Sequence, residues 1–342
     1  FLLDVPAGFF KLINDSKYAT YHKTNPQEHL GGRQNIIPQG NVLGGGTSIN
    51  AQVYMRGRAE DYNEWQEVLR GNNDTIGWGW NDVFPYFKEM ENNINIDNEY
   101  HGNSGRMKVS NSSCVNELTY DFIDSVHKLG VPITNDFNAK EQKGVGLYQF
   151  MNSNGKRSSA AYAFIEPEKN NDNLILKLQT KVEKIIIENN IAIGVEYKNK
   201  NGEILKQYAN KEVILASGSF ITPKILMLSG IGDKEDLFKL DIKCKVALPG
   251  VGKNLTDHPE CPLIATTNGK YGYFRQGEGW RMLKNGLQFL LFGTGPVNST
   301  GVEAGAFINP INKNELAYIQ AFFVPSIYMN SDTMGVIKDD FG

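Results

Sequence analysis

Three consecutive glycines, Gly44 to Gly46, followed at once by Thr47, Ser48 and Asn50, set the strongest local constraint on this chain. Lacking a Cβ, glycine takes positive φ freely and lets another group approach the main chain closely. Amide N–H groups bared in such a loop form an anion-binding concavity, and a following helix N-terminus adds its dipole. Taken alone, the glycines are explained equally well by a simple turn, so the neighbouring residues must decide. Two phosphate motifs fail. A P-loop needs Lys after its last glycine, where Thr47 stands. A dinucleotide fingerprint starting at Gly44 needs a third glycine where Ile49 stands.

A chain of 342 residues can bury a large core and suits two structural lobes. Its 35 basic and 38 acidic residues give a net charge of −3, which argues against a nucleic-acid protein relying on a basic face. The longest apolar run, Leu287-Gln-Phe-Leu-Leu-Phe292, falls far short of the roughly 20 residues of a membrane span. Cys114, Cys244 and Cys261 share no metal-ligand spacing and read as isolated thiols. His22, His29, His101, His127 and His258 are scattered, so no metal site is expected.

Along the chain, residues 1–13 read as an apolar turn and short helix, and Tyr18 to Pro38 as an extended surface loop. Ala59 to Leu69 has helical spacing that places Tyr62, Trp65, Val68 and Leu69 on one face. The aromatic stretch Gly77 to Phe87 suits helix–helix packing more often than a pocket, with Asn81 or Asp82 as N-cap. Leu118 to Leu129 predicts a helix closed by Gly130, Gly144 to Met151 a strand, and Asn154-Gly155 a hairpin. Ser158 or Ser159 caps a helix that Pro167 ends. Strands follow at 174–178, 182–188, 193–197 and 212–216, with a turn at Asn201-Gly202. Small residues Ser217-Gly218-Ser219 then lead into a helix starting near Pro223 and ending near Gly230. This strand–turn–helix crossing is either a ligand site of an open α/β sheet or merely a tight packing point. His258 follows Asp257 and precedes Pro259, and reads as a structural, hydrogen-bonded residue. Residues 259–342 suit a half-buried antiparallel sheet, with strands at 305–308 and 317–323.

The run Gly40 to Trp65, continuing through Tyr54-Met-Arg-Gly-Arg-Ala-Glu-Asp-Tyr-Asn-Glu-Trp, resembles the first signature of the glucose–methanol–choline (GMC) flavin oxidoreductases, in their choline and alcohol dehydrogenase branch. Ala216 to Gly232 resembles the second signature, and Leu248 to His258 a further family stretch. The resemblance implies an α/β fold: an incomplete, Rossmann-like FAD lobe and a substrate lobe built on an antiparallel sheet and helices. It places residues 1–57 and 166–258 in the first, and 58–165 and 259–342 in the second. Carried over by position, Val42, Gly44, Gly45 and Gly46 flank the FAD pyrophosphate and ribityl chain. Asn50, Ala51 and Val53 lie along the flavin ring, Val182 contacts adenine through its backbone, and Ser217 and Gly218 approach the cofactor. Ile49 stands where some relatives attach flavin through histidine, so FAD should be non-covalent.

The implied activity is hydride transfer from an alcohol CH–OH group to flavin, with oxygen or a quinone taking the electrons onward. The dinucleotide motif and the catalytic histidine of the family are expected upstream and downstream of this chain, which opens on Phe1 and closes on Asp340-Phe341-Gly342 without an evident terminal element. Two other readings stand beside this one. One is a hydroxynitrile lyase-like FAD protein without redox turnover, the other a non-catalytic fragment or degenerate homologue. Five Asn-x-Ser/Thr sites (Asn14, Asn73, Asn111, Asn254, Asn298) are weak evidence of secretion in so Asn-rich a chain.

Overall fold

The computed structural model describes residues 2–71 and 77–326; the Asn73 sequon and the 340–342 terminus lie outside them. Two compact units divide the chain, Phe1–Asn170 with Pro262–Gly342, and Asn171–Cys261.

The first unit opens with α1 (Phe9–Leu12), then a hairpin of β1 (Ala19–Lys23) and β2 (Ile36–Gly40), paired from Ala19–Gly40 to Lys23–Ile36. The surface loop expected over Tyr18 to Pro38 is therefore two strands and their connection. Pro38 sits opposite Tyr21 in a two-stranded ribbon, where a missing N–H is tolerated. Leu12, Phe9, Ile13, Ala19 and Ile49 form a first core cluster.

Helices α2 (Ala59–Gly71) and α3 (Trp80–Met90) follow. In α2 the buried position is Gln66, while Trp65 and Val68, on the face the spacing groups together, are exposed. Gln66 turns in because its Oε1 accepts from the N–H groups of Trp78 (2.6 Å) and Gly79 (3.1 Å). Trp80, Phe84 and Phe87 group with Tyr62, so the aromatics serve packing between helices. The N-cap of α3 is Gly79, not Asn81 or Asp82. Asp82 sits three residues on and accepts from the Gly79 N–H at 3.1 Å.

Next come β3 (Glu91–Asn93), β4 (Met107–Asn111), α4 (Glu117–Lys128), β5 (Gly144–Leu147) and β6 (Gln149–Phe150). The two-residue strands β7 (Asn152–Ser153) and β8 (Lys156–Arg157) are joined by Asn154 (φ +50°) and Gly155 (φ +73°), the left-handed pair a tight hairpin requires. Ser159 Oγ then accepts from the Tyr162 N–H at 3.2 Å, opening the helical turn Ala161–Ile165.

In the second unit, β9 (Lys181–Glu188), β10 (Ile191–Lys198) and β11 (Ile204–Tyr208) form an antiparallel meander in the order β11-β10-β9. Helix α5 (Gly218–Leu228) is anchored to it through Ser229, whose Oγ accepts from the Ile185 N–H at 2.8 Å. The helix starts at Gly218, earlier than expected, so Pro223 lies inside it. Strand β12 (Ile231–Gly232), helix α6 (Lys234–Lys239) and strand β13 (Val246–Ala247) complete the unit, with β12 and β13 parallel. The expected strands at 174–178 and 212–216 are not strands, and Ile175 and Ile214 are exposed. Apolar composition marks a segment able to enter a sheet, but a strand exists only where a neighbour supplies the ladder.

The chain returns to the first unit with α7 (Gly279–Phe292), a helix the sequence pattern did not reveal. Strands β14 (Ala304–Ile308) and β15 (Ile319–Phe323) join β5 in an antiparallel sheet ordered β15-β14-β5. Phe137, Tyr148, Phe150 and Phe307 form the second core cluster.

Candidate cofactor-binding site

The glycine run is the turn of a loop that β2 delivers into the first unit. The Val42 carbonyl accepts from the Gly45 N–H at 2.8 Å, and the Gly46 carbonyl accepts from Ile49 (3.1 Å) and Asn50 (2.9 Å). Thr47 Oγ1 donates to the Gly44 carbonyl (2.6 Å) and Ser48 Oγ to the Leu43 carbonyl (2.8 Å), which fixes the turn from within. Gly44, at φ +89°, is packed: a Cβ there would lie 2.4 Å from Ser48 Oγ and 3.0 Å from Ala161 Cβ. At Gly45 and Gly46 a Cβ would meet nothing within 4 Å. The loop thus has a closed side and an open side, and the open side exposes main chain.

Side chains around the turn are spoken for. Ile49 is 4 % exposed within the first core cluster, and Val42 and Ala51 pack against the same cluster. Val53 bridges Phe150 and packs on the second cluster. Their backbones are what remain to face a ligand. Asn50 differs. Its Oδ1 accepts from the Gln52 N–H (3.1 Å) and from Arg157 Nη1 (2.9 Å), which leaves its NH₂ as the side free to address a ligand.

Arg157 was not legible as a site residue. Its Nη1 also donates to the carbonyls of Thr47 (3.1 Å) and Asn50 (2.7 Å), and its Nε to the Leu3 carbonyl (3.0 Å). Burial lowers its pKa to about 10, so it stays a cation at neutral pH. Arg157 Nη2 and both side-chain amide atoms of the 1 % exposed Gln52 are buried without a protein partner. Buried polar atoms are normally paired, and such orphans mark places where a further group completes the site. A bared glycine edge, a fixed amide and orphaned polar atoms fit a bulky polar cofactor such as FAD.

Downstream, the motif continues into a buried charge cluster. Arg56 pairs with Glu91, and its main-chain N–H donates to Asn138 Oδ1 at 2.9 Å. His101 bridges Glu91 (2.7 Å from Nδ1) and Asp136 (2.9 Å from Nε2). Burial opposes charge on His101, but hydrogen bonds to Asp136 and Glu91 outweigh it and raise its pKa to about 9. Burial likewise opposes the carboxylates, yet His101 above all holds both Glu91 and Asp136 below the usual range. These charges satisfy one another, and the cluster braces the segment that follows the loop. Glu303, fully buried, accepts from Tyr273, Ser299, Thr119 and the Asn116 N–H, and is equally committed.

The other sequence-derived residues lie in the second unit. Val182 faces Tyr197 across the β9–β10 ladder. Ser217 donates its N–H to Thr222 Oγ1 (3.1 Å), and Gly218 has φ +82°. A groove of about 720 Å³ along α5 is lined by Ser219, Phe220, Pro223 and Asn254 among others, but not by Val182, Ser217 or Gly218. His258 is exposed and leans on Asp257, with Nδ1 to Oδ1 at 3.1 Å.

The model of the GMC oxidoreductase family matches residues 12–260. Mouse (Mus musculus) mitochondrial choline dehydrogenase is 35% identical over 324 residues, covering 95% of this chain and 53% of that protein. An alcohol dehydrogenase [acceptor] of Pseudomonas putida is 34% identical over 331 residues, covering 95% and 58%. The solved FAD-dependent oxidoreductase of Chaetomium thermophilum superposes with a TM-score of 0.76 at 26% identity, covering 90% and 55%. The chain therefore spans a little over half the length of these relatives.

Proposed function

The chain belongs to the GMC oxidoreductase family, and from that premise we propose that it forms part of an FAD-dependent oxidoreductase acting on the CH–OH group of an alcohol. Relatives bearing choline and alcohol dehydrogenase names favour a small alcohol as the substrate. The observation carrying the proposal is the loop from Val42 to Val53, open at Gly45 and Gly46 and locked at Asn50 by Arg157.

FAD supplies the hydride acceptor; the chain supplies position and electrostatics. The open main-chain edge at Gly45 and Gly46 would line the polar part of the cofactor, with Val42 and Gly44 fixing its approach. The Asn50 NH₂ donates toward the ring, and the backbones of Ala51 and Val53 run beside it. Val182 contacts adenine through its backbone, and Ser217 and Gly218 approach the cofactor, as the family resemblance implies. Residues 1–57 and 166–258 make the cofactor side and 58–165 and 259–342 the substrate side. Attachment is non-covalent, because Ile49 lacks a nucleophile and its side chain is buried in the core cluster. The proposal assigns no catalytic base to these residues, and leaves the onward acceptor as oxygen or a quinone.

The test is anaerobic spectroscopy of the flavin-loaded protein containing this chain. Bleaching of the flavin on adding choline or a primary alcohol is the expected outcome. A yellow protein that no alcohol bleaches contradicts the oxidoreductase reading.

A further inference from the structure

Arg157 is a buried cation whose hydrogen-bond acceptors are all neutral. It is 3 % exposed. Its Nε donates to the Leu3 carbonyl, its Nη1 to the Thr47 and Asn50 carbonyls and to Asn50 Oδ1, and its Nη2 to no protein group. The acid that acts on it through space, Asp4, stands in water at the surface. Among the described residues the other two buried bases face carboxylates: Arg56 pairs with Glu91, and His101 lies between Glu91 and Asp136. Burying a charge without a counter-charge is costly, and a clamp on carbonyl oxygens needs donors, not a charge. An unused donor and an unneutralised charge point to the charge itself as what the site uses.

The charge sits where it can act on the far side of the loop. No peptide bond is cis, so in each peptide plane the N–H points away from the carbonyl. Arg157 holds the Asn50 carbonyl, which aims the Ala51 N–H the other way, and that N–H has no acceptor among the described residues. A cation on the carbonyl oxygen polarises the peptide and makes its N–H a stronger donor. The field of a buried cation is also weakly screened. FAD, when bound, receives a hydride from the alcohol carbon, which is two electrons and one proton. The carbon becomes a carbonyl, the hydroxyl proton leaves to a base, and the flavin gains one negative charge. A nearby cation favours the charged side of that equilibrium.

We propose that Arg157 is a positioning residue for the redox step: its buried charge, acting through the Asn50–Ala51 peptide, stabilises the negative charge left on the flavin and raises the cofactor's reduction potential. This rests on the placement of FAD along Asn50 to Val53 proposed above.

The potential of the complete flavin-loaded enzyme, read against a reference dye during reduction by xanthine and xanthine oxidase, tests this without any alcohol. Arg157→Gln keeps a donor and removes the charge. At a fixed dye potential its ratio of reduced to oxidised flavin should fall about tenfold, which is about 30 mV for two electrons. Arg157→Lys keeps the charge and loses the fork of donors, so its ratio should stay within about threefold of wild type although its stability falls. Gln52→Glu serves if Arg157→Gln does not fold. The Gln52 N–H and Arg157 Nη1 meet on one oxygen, Asn50 Oδ1, at 3.1 and 2.9 Å, and both side chains end in unpartnered buried atoms. A carboxylate introduced there neutralises the guanidinium with the clamp in place, and the ratio should again fall about tenfold. Lys156→Gln, which removes the exposed cation next in sequence, should leave the potential unchanged. Wild-type potentials in Arg157→Gln or Gln52→Glu, a fall in Arg157→Lys as deep as in Arg157→Gln, or an equal fall in Lys156→Gln overturn the proposal. A yellow protein that no alcohol bleaches still yields these potentials and contradicts the alcohol reading alone, whereas a protein that holds no FAD removes both.

Discussion

Arg157 Nη1 lies 2.7 Å from the carbonyl oxygen of Asn50 and 2.9 Å from its Oδ1, so a single guanidinium nitrogen holds both the backbone and the side chain of that residue. The contact spans 107 positions of sequence and joins the β7–β8 hairpin to the glycine loop. It sets which way the Asn50 amide points, and makes that amide a donor.

Replacing Arg157 with Met should leave the Thr47, Asn50 and Leu3 carbonyls short of a donor. Each unpaired buried group costs about 1–3 kcal/mol, so a stability loss of several kcal/mol is expected, with FAD affinity falling in parallel. Arg157→Lys keeps the charge but one donor geometry, and should fall between. Thermal melts and FAD titration read both. Wild-type stability in Arg157→Met would remove the clamp from the account.

The glycines should separate from one another. Gly44→Ala places a methyl group against Ser48 and Ala161 at positive φ, and should destabilise the fold by at least about 1 kcal/mol. Gly46→Leu meets open space, so it should melt like the parent yet bind FAD weakly. Normal FAD affinity in Gly46→Leu would place the cofactor elsewhere.

The His101 cluster gives a pH dependence with a definite sign. His101 has its pKa raised to about 9 in the fold, so its contribution is complete below its unfolded value near 6.5 and disappears as pH rises through about 9. Glu91 and Asp136 have theirs lowered, so their contributions are present above the ordinary carboxylate range and disappear as pH falls through their folded values. Stability should therefore peak around neutrality and decline on both sides. His101→Gln should lower the plateau and flatten the alkaline limb, as followed by melting temperature against pH.

Much of the fold was legible because local signals and tertiary outcome agree. Asn154-Gly155 turns where a left-handed pair is needed, and α4 is closed by Gly130, at φ +90° just past the Leu129 cap. The glycine loop was legible for the same reason: its constraint is backbone conformation. The rest depends on partners that a local pattern does not contain. Glu212 to Ala216 has strand composition but no ladder, and Tyr18 to Pro38 looks polar yet pairs with itself across the ribbon. Helix α7 was missed because its apolar residues face out and Asn285 faces in, against the usual rule. Arg157 was missed because a basic residue beside a hairpin turn looks like any surface charge until its acceptors are seen.

Acid precipitation of the flavin-loaded protein should leave the yellow colour in the supernatant, since Ile49 offers no attachment point and is buried. Colour retained in the pellet, attached through another residue, would contradict the non-covalent reading.

The central claim is that Asn50, held by Arg157, orients the flavin. Anaerobic reduction rate per bound FAD, measured with FAD affinity for wild type and Asn50→Leu in the complete enzyme, tests it most directly. Loss of the amide should cost about 1–3 kcal/mol, roughly a 5- to 150-fold fall in reduction rate, affinity or both. A folded Asn50→Leu enzyme with unchanged rate and unchanged affinity would contradict the claim and leave Asn50 a structural residue of the turn.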